Sequence, residues 1–187
     1  AVIARHDILR TCYKRKDEEV VQSVLLNAPF VLNTVDLSRE TNSQVIQEAI
    51  GVHKKLVFTQ SFDLSNEFPL RARILKCPDA HYEVLLCVHH IAADAWAIPL
   101  FLQDLEASYT AICSGEATTS KPRHQYIDYA YWQQNRAQQG IFSKQREYWL
   151  NKLADIPHVH EINTDYIRDA RSIGELGFVE KRLSESV

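Results

Sequence analysis

Residues 84–105 read VLLCVHHIAADAWAIPLFLQDL, and the rest of the chain is organised around this stretch. It opens inside an apolar run, Tyr82–Val88, which is interrupted only by Glu83 and predicts a strand buried on both faces. Two histidines, His89 and His90, follow the run. Beyond them a helix is predicted from apolar residues at helical spacing, namely Ile98, Phe101, Leu102 and Leu105. The stretch therefore predicts a strand that delivers two histidines to the start of a helix.

The two histidines should point in different directions. Successive side chains on a strand lie on opposite faces, so His90 would continue the face of Val88 and His89 the face of Cys87. Only one of the two imidazoles can then point into a given cavity. Asp94 stands where an N-cap would, just before the helix. The same residues fit two satisfied core histidines and a plain helix cap, or a functional site at a strand end.

Composition excludes several classes of function. A chain of 187 residues with 45% apolar residues can form one substantial core of a soluble globular protein. The net charge of −3 gives no reason to expect a nucleic acid or an anionic membrane as partner. No apolar stretch approaches the roughly 20 residues of a membrane span. With only 5 glycines, the sequence contains no glycine-rich phosphate loop.

The four cysteines, Cys12, Cys77, Cys87 and Cys113, lie within regular apolar segments and lack CxxC spacing. This pattern predicts reduced core residues of a cytoplasmic protein rather than zinc ligands or a disulfide framework.

The hydrophobic pattern predicts five elements before the central stretch. We expect a helix from the first residue to Thr11, two strands joined at 27–29, a second helix, and a strand that forms a hairpin with the histidine strand. The last four elements cover 19–26, 30–37, 43–58 and 69–75. The first helix lacks an N-cap, as a segment of a longer protein would.

Beyond the central stretch, the helix should end at 114–115, where Gly115 provides the stop. Two helices rich in aromatic residues, at 126–132 and 144–153, are predicted to bury those rings in the core. An irregular stretch at 156–173 should lead to a last strand at 176–183.

Five segments, in order along the chain, resemble those of nonribosomal peptide synthetase condensation domains. HHIAADAW resembles HHxxxDG, RHDILRT resembles RHExLRT, and SFDL followed by PLR is similar to PFDL…PLLR. YIDYAYW is similar to YxDYAxW, and YWLNKL matches YWxxxL. HHxxxD by itself is weak, because other acyltransferases share it, but five segments in order are specific.

The resemblance implies a fold of the chloramphenicol-acetyltransferase type, an α+β or mixed α/β sandwich in which a mixed sheet is flanked by helices. A complete condensation domain has two such lobes in a V, with the active site at their junction. Residues 1–165 would form the N-terminal lobe without its first strand and helix. Residues 166–187 would form the crossover and the start of a strand towards the second lobe. We expect the fragment alone to be inactive, since half the cleft would be missing.

The resemblance also implies the chemistry and the partners. An amine on a downstream peptidyl carrier protein attacks an acyl or peptidyl thioester on an upstream one, and an amide bond forms. Both substrates are carried on phosphopantetheine, and the domain itself binds no cofactor and no metal. His90 would be the catalytic residue. The other partners would be an adjacent adenylation domain and the second lobe.

The resemblance gives the neighbouring residues supporting roles. His89 would be structural, and Asp94 would pair with an arginine and hold the loop that bears the catalytic histidine. Arg5 and Arg10, on the exposed side of the first helix, are candidates for that arginine, and a partner in the second lobe is equally compatible. Their plainer interpretation is a solvated helix face. If the pair is buried, loss of Asp94 should cost about 3–5 kcal/mol.

Two residues bear on which subtype of this domain family the chain resembles. Ala95 replaces the family's usual glycine; it keeps the backbone N–H, but a positive φ would be costly. Trp96 directly after it fits condensation better than epimerisation, and the paired histidines argue against heterocyclisation. The alternatives are an epimerisation domain, an acyltransferase that uses coenzyme A, and a non-catalytic recruitment domain, which usually loses the second histidine.

Overall fold

The computed structural model of the chain describes residues 1–26, 28–118 and 120–157. The chain divides into two units, the first ending at Ile141 and the second beginning at Phe142. In chain order the elements are α1 (Val2–Arg5), a 3-10 turn (Asp7–Arg10), β1 (Thr11–Lys16), β2 (Glu19–Val24), β3 (Asn33–Asp36), α2 (Ser43–Thr59), β4 (Leu70–Lys76), β5 (Tyr82–Val88), α3 (Ala97–Cys113), α4 (Tyr126–Gln138) and α5 (Ser143–Lys152).

The predicted continuous helix up to Thr11 is wrong. Helix α1 ends at Arg5 because His6 has an extended backbone, with φ −109° and ψ 104°. A 3-10 turn follows, and Thr11 begins β1, which pairs antiparallel with β2 in a two-stranded hairpin. Asp17, with φ 56°, turns the chain between the two strands. The polar run that ends β1 has no apolar alternation, so the pairing that makes it a strand is invisible in the sequence.

A three-stranded sheet forms the centre of the first unit, with the strand order β3-β4-β5. The predicted hairpin is confirmed, since β4 and β5 pair antiparallel from Leu70↔Val88 to Lys76↔Tyr82. Strand β3 pairs parallel with β4 on the other side. Helix α2 connects these two parallel strands and confirms the helix predicted at 43–58. It begins at the cap residue Asn42, whose side chain accepts a hydrogen bond from the Gln44 N–H at 3.0 Å.

The core lies between α2 and one face of this sheet. Leu75 of β4 and Leu85 of β5 are 0% and 3% exposed, and they pack with Ile50 and Val57 of α2. Burial of these side chains specifies the register, because a slip by one residue would move them to the opposite face.

The opposite face of the sheet is not buried in the same way. Val84 is 52% exposed, although its neighbour Leu85 is buried. Ile74, Val84 and Leu86 line an open cavity of about 700 Å³, and Tyr109 and Ile112 of α3 line it from the other side. The prediction that β5 is buried on both faces is therefore wrong for this unit: an apolar sequence run does not reveal which of its faces is covered.

The stop of α3 is as predicted: Ser114 caps it and Gly115 follows with φ +70°, a conformation that favours glycine. The aromatic helices are confirmed as helices, but their rings are not core. Tyr131 and Trp132 of α4 are 69% and 50% exposed. In the second unit, Tyr148 and Trp149 of α5 are each more than half exposed, and their rings lie edge to face at a centroid separation of 5.3 Å.

All four cysteines are free thiols, but their burial differs. Cys12 and Cys77 are buried and Cys87 is half-buried, whereas Cys113 is exposed on the last turn of α3. The prediction of a core position is therefore wrong for Cys113. Burial raises the pKa of the thiols of Cys12 and Cys87.

The strands predicted at 19–26 and 30–37 exist in shorter form as β2 and β3, in two different sheets. The expected crossover at 166–187 and the strand at 176–183 lie outside the described residues, as does most of the stretch 156–173. Among the helices of the described ranges, none has the length and apolar character needed to cross a membrane.

The turn between β4 and β5 contains a strained alanine, which yields a prediction. Ala80 has φ 56°, a left-handed conformation that an alanine adopts only at a cost. We expect Ala80→Gly to raise the free energy of unfolding by about 1 kcal/mol, measured by urea denaturation. In the control Ala107→Gly, inside α3, the same change should lower it by about 1 kcal/mol. A loss of stability in both variants would contradict the strain at residue 80.

Candidate active site

The paired histidines lie directly beyond the end of β5. The N–H of His89 donates to the carbonyl of Pro69 at 2.9 Å and so closes the strand pairing. The chain then turns, and the N–H of Ala92 donates back to the carbonyl of His89 at 2.9 Å. The register of β4 and β5 thus determines where the backbone of the two histidines lies relative to the sheet.

The His89 side chain is bound to its surroundings. Its Nδ1 accepts a hydrogen bond from the N–H of Ile91 at 3.0 Å. Its ring meets Phe62 edge to face, with centroids 5.5 Å apart. The guanidinium of Arg71 stacks on the same phenyl ring at 3.9 Å and donates to Glu67 at 2.6 Å. His89 is therefore half-buried in a chain of contacts that connects the motif to the start of β4.

His90 differs from His89 both in its exposure and in its hydrogen bonding. Its side chain is exposed, and within residues 1–26, 28–118 and 120–157 no group forms a hydrogen bond with its imidazole. A neutral imidazole that is open to an incoming group can accept a proton near neutral pH. Of the two histidines, His90 is the one with both ring nitrogens free of hydrogen bonds within the described residues, whereas Nδ1 of His89 is occupied.

Asp94 caps α3 from an exposed position. Its Oδ1 accepts hydrogen bonds from the N–H groups of Trp96 at 3.0 Å and Ala97 at 2.9 Å. Arg5 and Arg10 are not its partners in this unit, because those guanidiniums pair with Asp104 and with Asp7. The alternative, an arginine of the second lobe, stays a prediction. Both arginines lie close to other carboxylates, and Asp94 instead satisfies the free amides of a helix start.

Ala95 and Trp96 occupy this helix start in different ways. Ala95 is not among the residues with a positive φ, so an alanine fits this backbone without the strain that the loss of glycine suggested. Trp96 is 87% exposed.

A cluster of charged side chains, which the sequence analysis did not find, joins α1 to α3. Asp104 of α3 accepts from Arg5 Nε at 3.0 Å, and its Oδ2 lies 2.5 Å from His6 Nε2. The Arg5 guanidinium also donates to the carbonyl of Ser120. The hydrogen bond with His6 is the main cause that lowers the pKa of Asp104, and Arg5 adds to it, while burial opposes it. The spacing of residues 101, 104, 105 and 108 places them on one face of α3, and the other three suit an inward face. A carboxylate at 104 on that face was the signal in the sequence that could have indicated a buried charged partner.

Neighbouring contacts hold the rest of the RHDILRT segment. Arg10 pairs with Asp7 and donates to the carbonyl of Leu25 at 3.0 Å. Lys121 approaches Asp7 at 3.1 Å, and the side chain of Gln125 accepts from the Asp7 N–H at 2.9 Å. Arg5 and Arg10 are therefore structural partners within this unit and not a solvated helix face.

The RHDILRT segment lies beside the loop that bears the histidines. His6 and Leu9 line a small cavity of about 130 Å³ together with Val88, Ala92 and Ala93. The charged cluster therefore joins α3 to a segment that shares this cavity with the histidine loop. No group of three or more His, Cys, Asp or Glu side chains in the described part of the chain could hold a metal ion.

Comparison with known proteins agrees with this arrangement. A sequence model of the condensation domain matches residues 1–186. The chain is 30% identical over 175 residues to a probable non-canonical nonribosomal peptide synthetase, CymA, of Salinispora arenicola, a match that covers 90% of the chain and 2% of CymA. It is 32% identical over 167 residues to malpinin synthetase of Mortierella alpina, a match that covers 89% of the chain and 2% of the synthetase.

Among solved structures, the fold is similar to that in the complex of the X-domain and OxyB from teicoplanin biosynthesis. The TM-score is 0.76 at 29% identity, over 90% of this chain and 36% of that one. The chain thus spans about 2% of the length of the curated relatives above and about a third of the solved chain.

The cap at Asp94 gives a prediction about α3. Asp94→Ala removes the acceptor of two helix amides and should lower the free energy of unfolding by about 1 kcal/mol. Asp94→Asn keeps an oxygen acceptor and should therefore retain most of the wild-type free energy of unfolding. Urea denaturation of both variants checks this. A loss of about 3–5 kcal/mol in both variants would instead indicate a buried ion pair, because asparagine cannot replace the charge.

The cluster at Asp104 gives a prediction about pH. A carboxyl whose pKa is lowered by folding stabilises the folded state above its ordinary pKa of about 4, and this contribution is lost as the pH falls further. Asp104→Asn should therefore reduce stability at pH 7 and flatten the decline below about pH 4. Thermal denaturation between pH 2 and pH 7 measures it, with Glu106→Gln on the exposed side of α3 as control. An unchanged acid profile in Asp104→Asn would contradict the role of the cluster.

Proposed function

This chain belongs to the condensation-domain family, and on that premise we propose that it forms the N-terminal lobe of a domain that makes amide bonds in nonribosomal peptide synthesis. In this proposal residues 1–165 form that lobe and residues 166–187 lead towards the second one. The observation that supports it most is the exposed imidazole of His90, which has no hydrogen-bond partner among the described residues, beside the bound imidazole of His89.

The reaction joins two substrates that are held as thioesters on phosphopantetheine. The amine of the downstream aminoacyl group attacks the carbonyl carbon of the upstream acyl thioester, so a C–N bond forms and the C–S bond breaks. His90 takes the proton that the amine loses, and the departing thiolate is protonated to a thiol. A thioester is already activated, so holding the two arms in place supplies much of the acceleration.

The helix start next to His90 has a defined part in this scheme. The amides of Trp96 and Ala97 donate to Asp94 and are therefore not free to bind an oxyanion. Asp94 acts by ending the histidine loop in a capped helix, and we assign it no contact with substrate. His89, held by Ile91 and Phe62, keeps the loop in register with β5.

The proposed partners are the upstream and downstream peptidyl carrier proteins, an adjacent adenylation domain and the second lobe, which would complete the cleft. No cofactor is assigned to the domain itself. A cytoplasmic location goes with this proposal, because the free thiols Cys12 and Cys77 are buried without a disulfide partner.

A second candidate is a recruitment domain without catalysis, which the similarity to the X-domain in complex with OxyB favours. Such a domain needs a docking surface and does not need a free imidazole. The presence of His90 favours condensation. An epimerisation domain is a third candidate from the same family, and it leaves the mass of its substrate unchanged.

The test uses a complete module with both carrier proteins loaded, and intact-mass analysis of the carriers. We expect His90→Ala to abolish the mass gain on the downstream carrier, because no group remains to take the amine proton. His89→Ala is the matched control on the adjacent residue: it should lower the melting temperature and leave measurable product.

Three results would contradict the proposal. Equal product from wild type and His90→Ala would remove the catalytic role of that residue. No mass gain in the wild type, with binding of an oxidising enzyme in its place, would favour recruitment. A change of configuration at constant mass would favour epimerisation.

A further inference from the structure

A cavity of about 430 Å³ lies on the side of the central sheet that faces α2, apart from the cavity beside the histidine loop. The residues before β3, the last turns of α2 and the first half of β4 surround it. Apolar side chains form much of its wall, including Phe30, Leu56 and Phe68. Two arginines of β4, Arg71 and Arg73, bring charge to its polar end.

The two arginines lie on the same face of the strand, but only one is neutralised. Arg71 donates to Glu67 at 2.6 Å and to the carbonyls of Gln60 and Ser61 at 2.5 and 2.6 Å. These acceptors and the Phe62 ring satisfy its guanidinium. Arg71 therefore has a structural role, and its charge is already neutralised by Glu67.

Arg73 has no such compensation. Its Nη1 lies 2.5 Å from Nδ1 of His53, and its Nε is buried with no hydrogen-bond partner within residues 1–26, 28–118 and 120–157. Across the described residues no carboxylate lies within salt-bridge distance of it. An arginine keeps its charge in proteins, so it donates to His53, which must be neutral.

The surroundings of His53 agree with this charge state. Burial is the main cause that lowers the pKa of His53, and the positive charge of Arg73 lowers it further. His53 cannot neutralise Arg73, because it carries no negative charge. A half-buried positive charge beside a cavity is unfavourable unless an anion pairs with it.

We propose that this cavity binds a small amphiphilic carboxylate, whose oxyanion pairs with Arg73 and whose apolar part contacts Phe30, Leu56 and Phe68. With Nη1 bound to His53 and Nε enclosed, Nη2 is the donor that Arg73 offers to a carboxylate, in a charge-assisted hydrogen bond. Polar groups form the larger part of the exposed lining, and they include Glu67, which pairs with Arg71. The apolar rings and the leucine side chain in the wall favour a carboxylate with a hydrocarbon chain over inorganic phosphate. The site goes beyond the proposed amide-forming reaction and does not use His90.

The test is isothermal titration of the intact protein that contains this chain, at constant ionic strength, with three separate probes. Hexanoate has both the charge and the apolar chain, phosphate has only the oxyanion, and 1-hexanol has only the chain. We expect hexanoate to bind, phosphate to bind at least tenfold more weakly, and hexanol to give no measurable binding.

Variants test whether Arg73 binds the ligand and whether the ligand occupies this cavity. Arg73→Gln should weaken hexanoate binding at least tenfold, whereas Lys76→Gln, a cation on the same strand that pairs with Asp36, should leave it unchanged. Leu56→Trp fills the cavity without altering Arg73 and should also weaken binding, which keeps the test valid if Arg73→Gln fails to fold. Leu56 is 48% exposed and tolerates a larger side chain.

Several outcomes would overturn the proposal. They are absence of hexanoate binding to the wild type, unchanged binding in Arg73→Gln, and phosphate binding as tightly as hexanoate. Loss of binding in His90→Ala would place the ligand at the proposed active site instead, whereas unchanged binding there supports a separate site.

Discussion

The antiparallel register of β4 and β5 is the constraint on which the candidate site depends. Burial of Leu75 and Leu85 against α2 leaves one register in which both side chains are covered. That register pairs Leu70 with Val88 and brings the His89 N–H to the carbonyl of Pro69. A hydrophobic core on one face of a small sheet therefore determines which residue ends the strand and which imidazole is left open.

Two sets of polar contacts then stabilise the histidine loop from either side. On one side, the Arg71 guanidinium and the Phe62 ring support His89. On the other, Asp104 joins Arg5 and His6, and this segment packs near Ala92 and Ala93. Contacts to charged groups are stronger than neutral hydrogen bonds when they are partly shielded from water. Neither set touches His90, so both act by limiting the positions that the loop can take.

Much of this arrangement follows from local pattern. The strand before the histidines, the helix after them, the cap at Asp94 and the glycine stop at Gly115 each depend on a few neighbouring residues. The errors share a cause. The helix predicted through Thr11, the buried aromatic rings of α4 and the buried Cys113 all required knowledge of what lies on the far side of an element. Hydrophobic periodicity reports which residues favour burial and says nothing about what covers them.

The sequence by itself determined the family resemblance and the order of the elements from β2 onwards, and it missed β1. It also predicted different roles for two adjacent histidines, because alternation along a strand and capping at a helix start are local geometry. Only the tertiary structure decided the partners of the charged residues. Asp94 binds backbone amides, Arg5 binds a carboxylate about a hundred residues away, and Arg73 has no carboxylate partner in the described part of the chain. The energy of an ion pair depends on the distance between its charges and on their burial, and both are set when distant segments pack together.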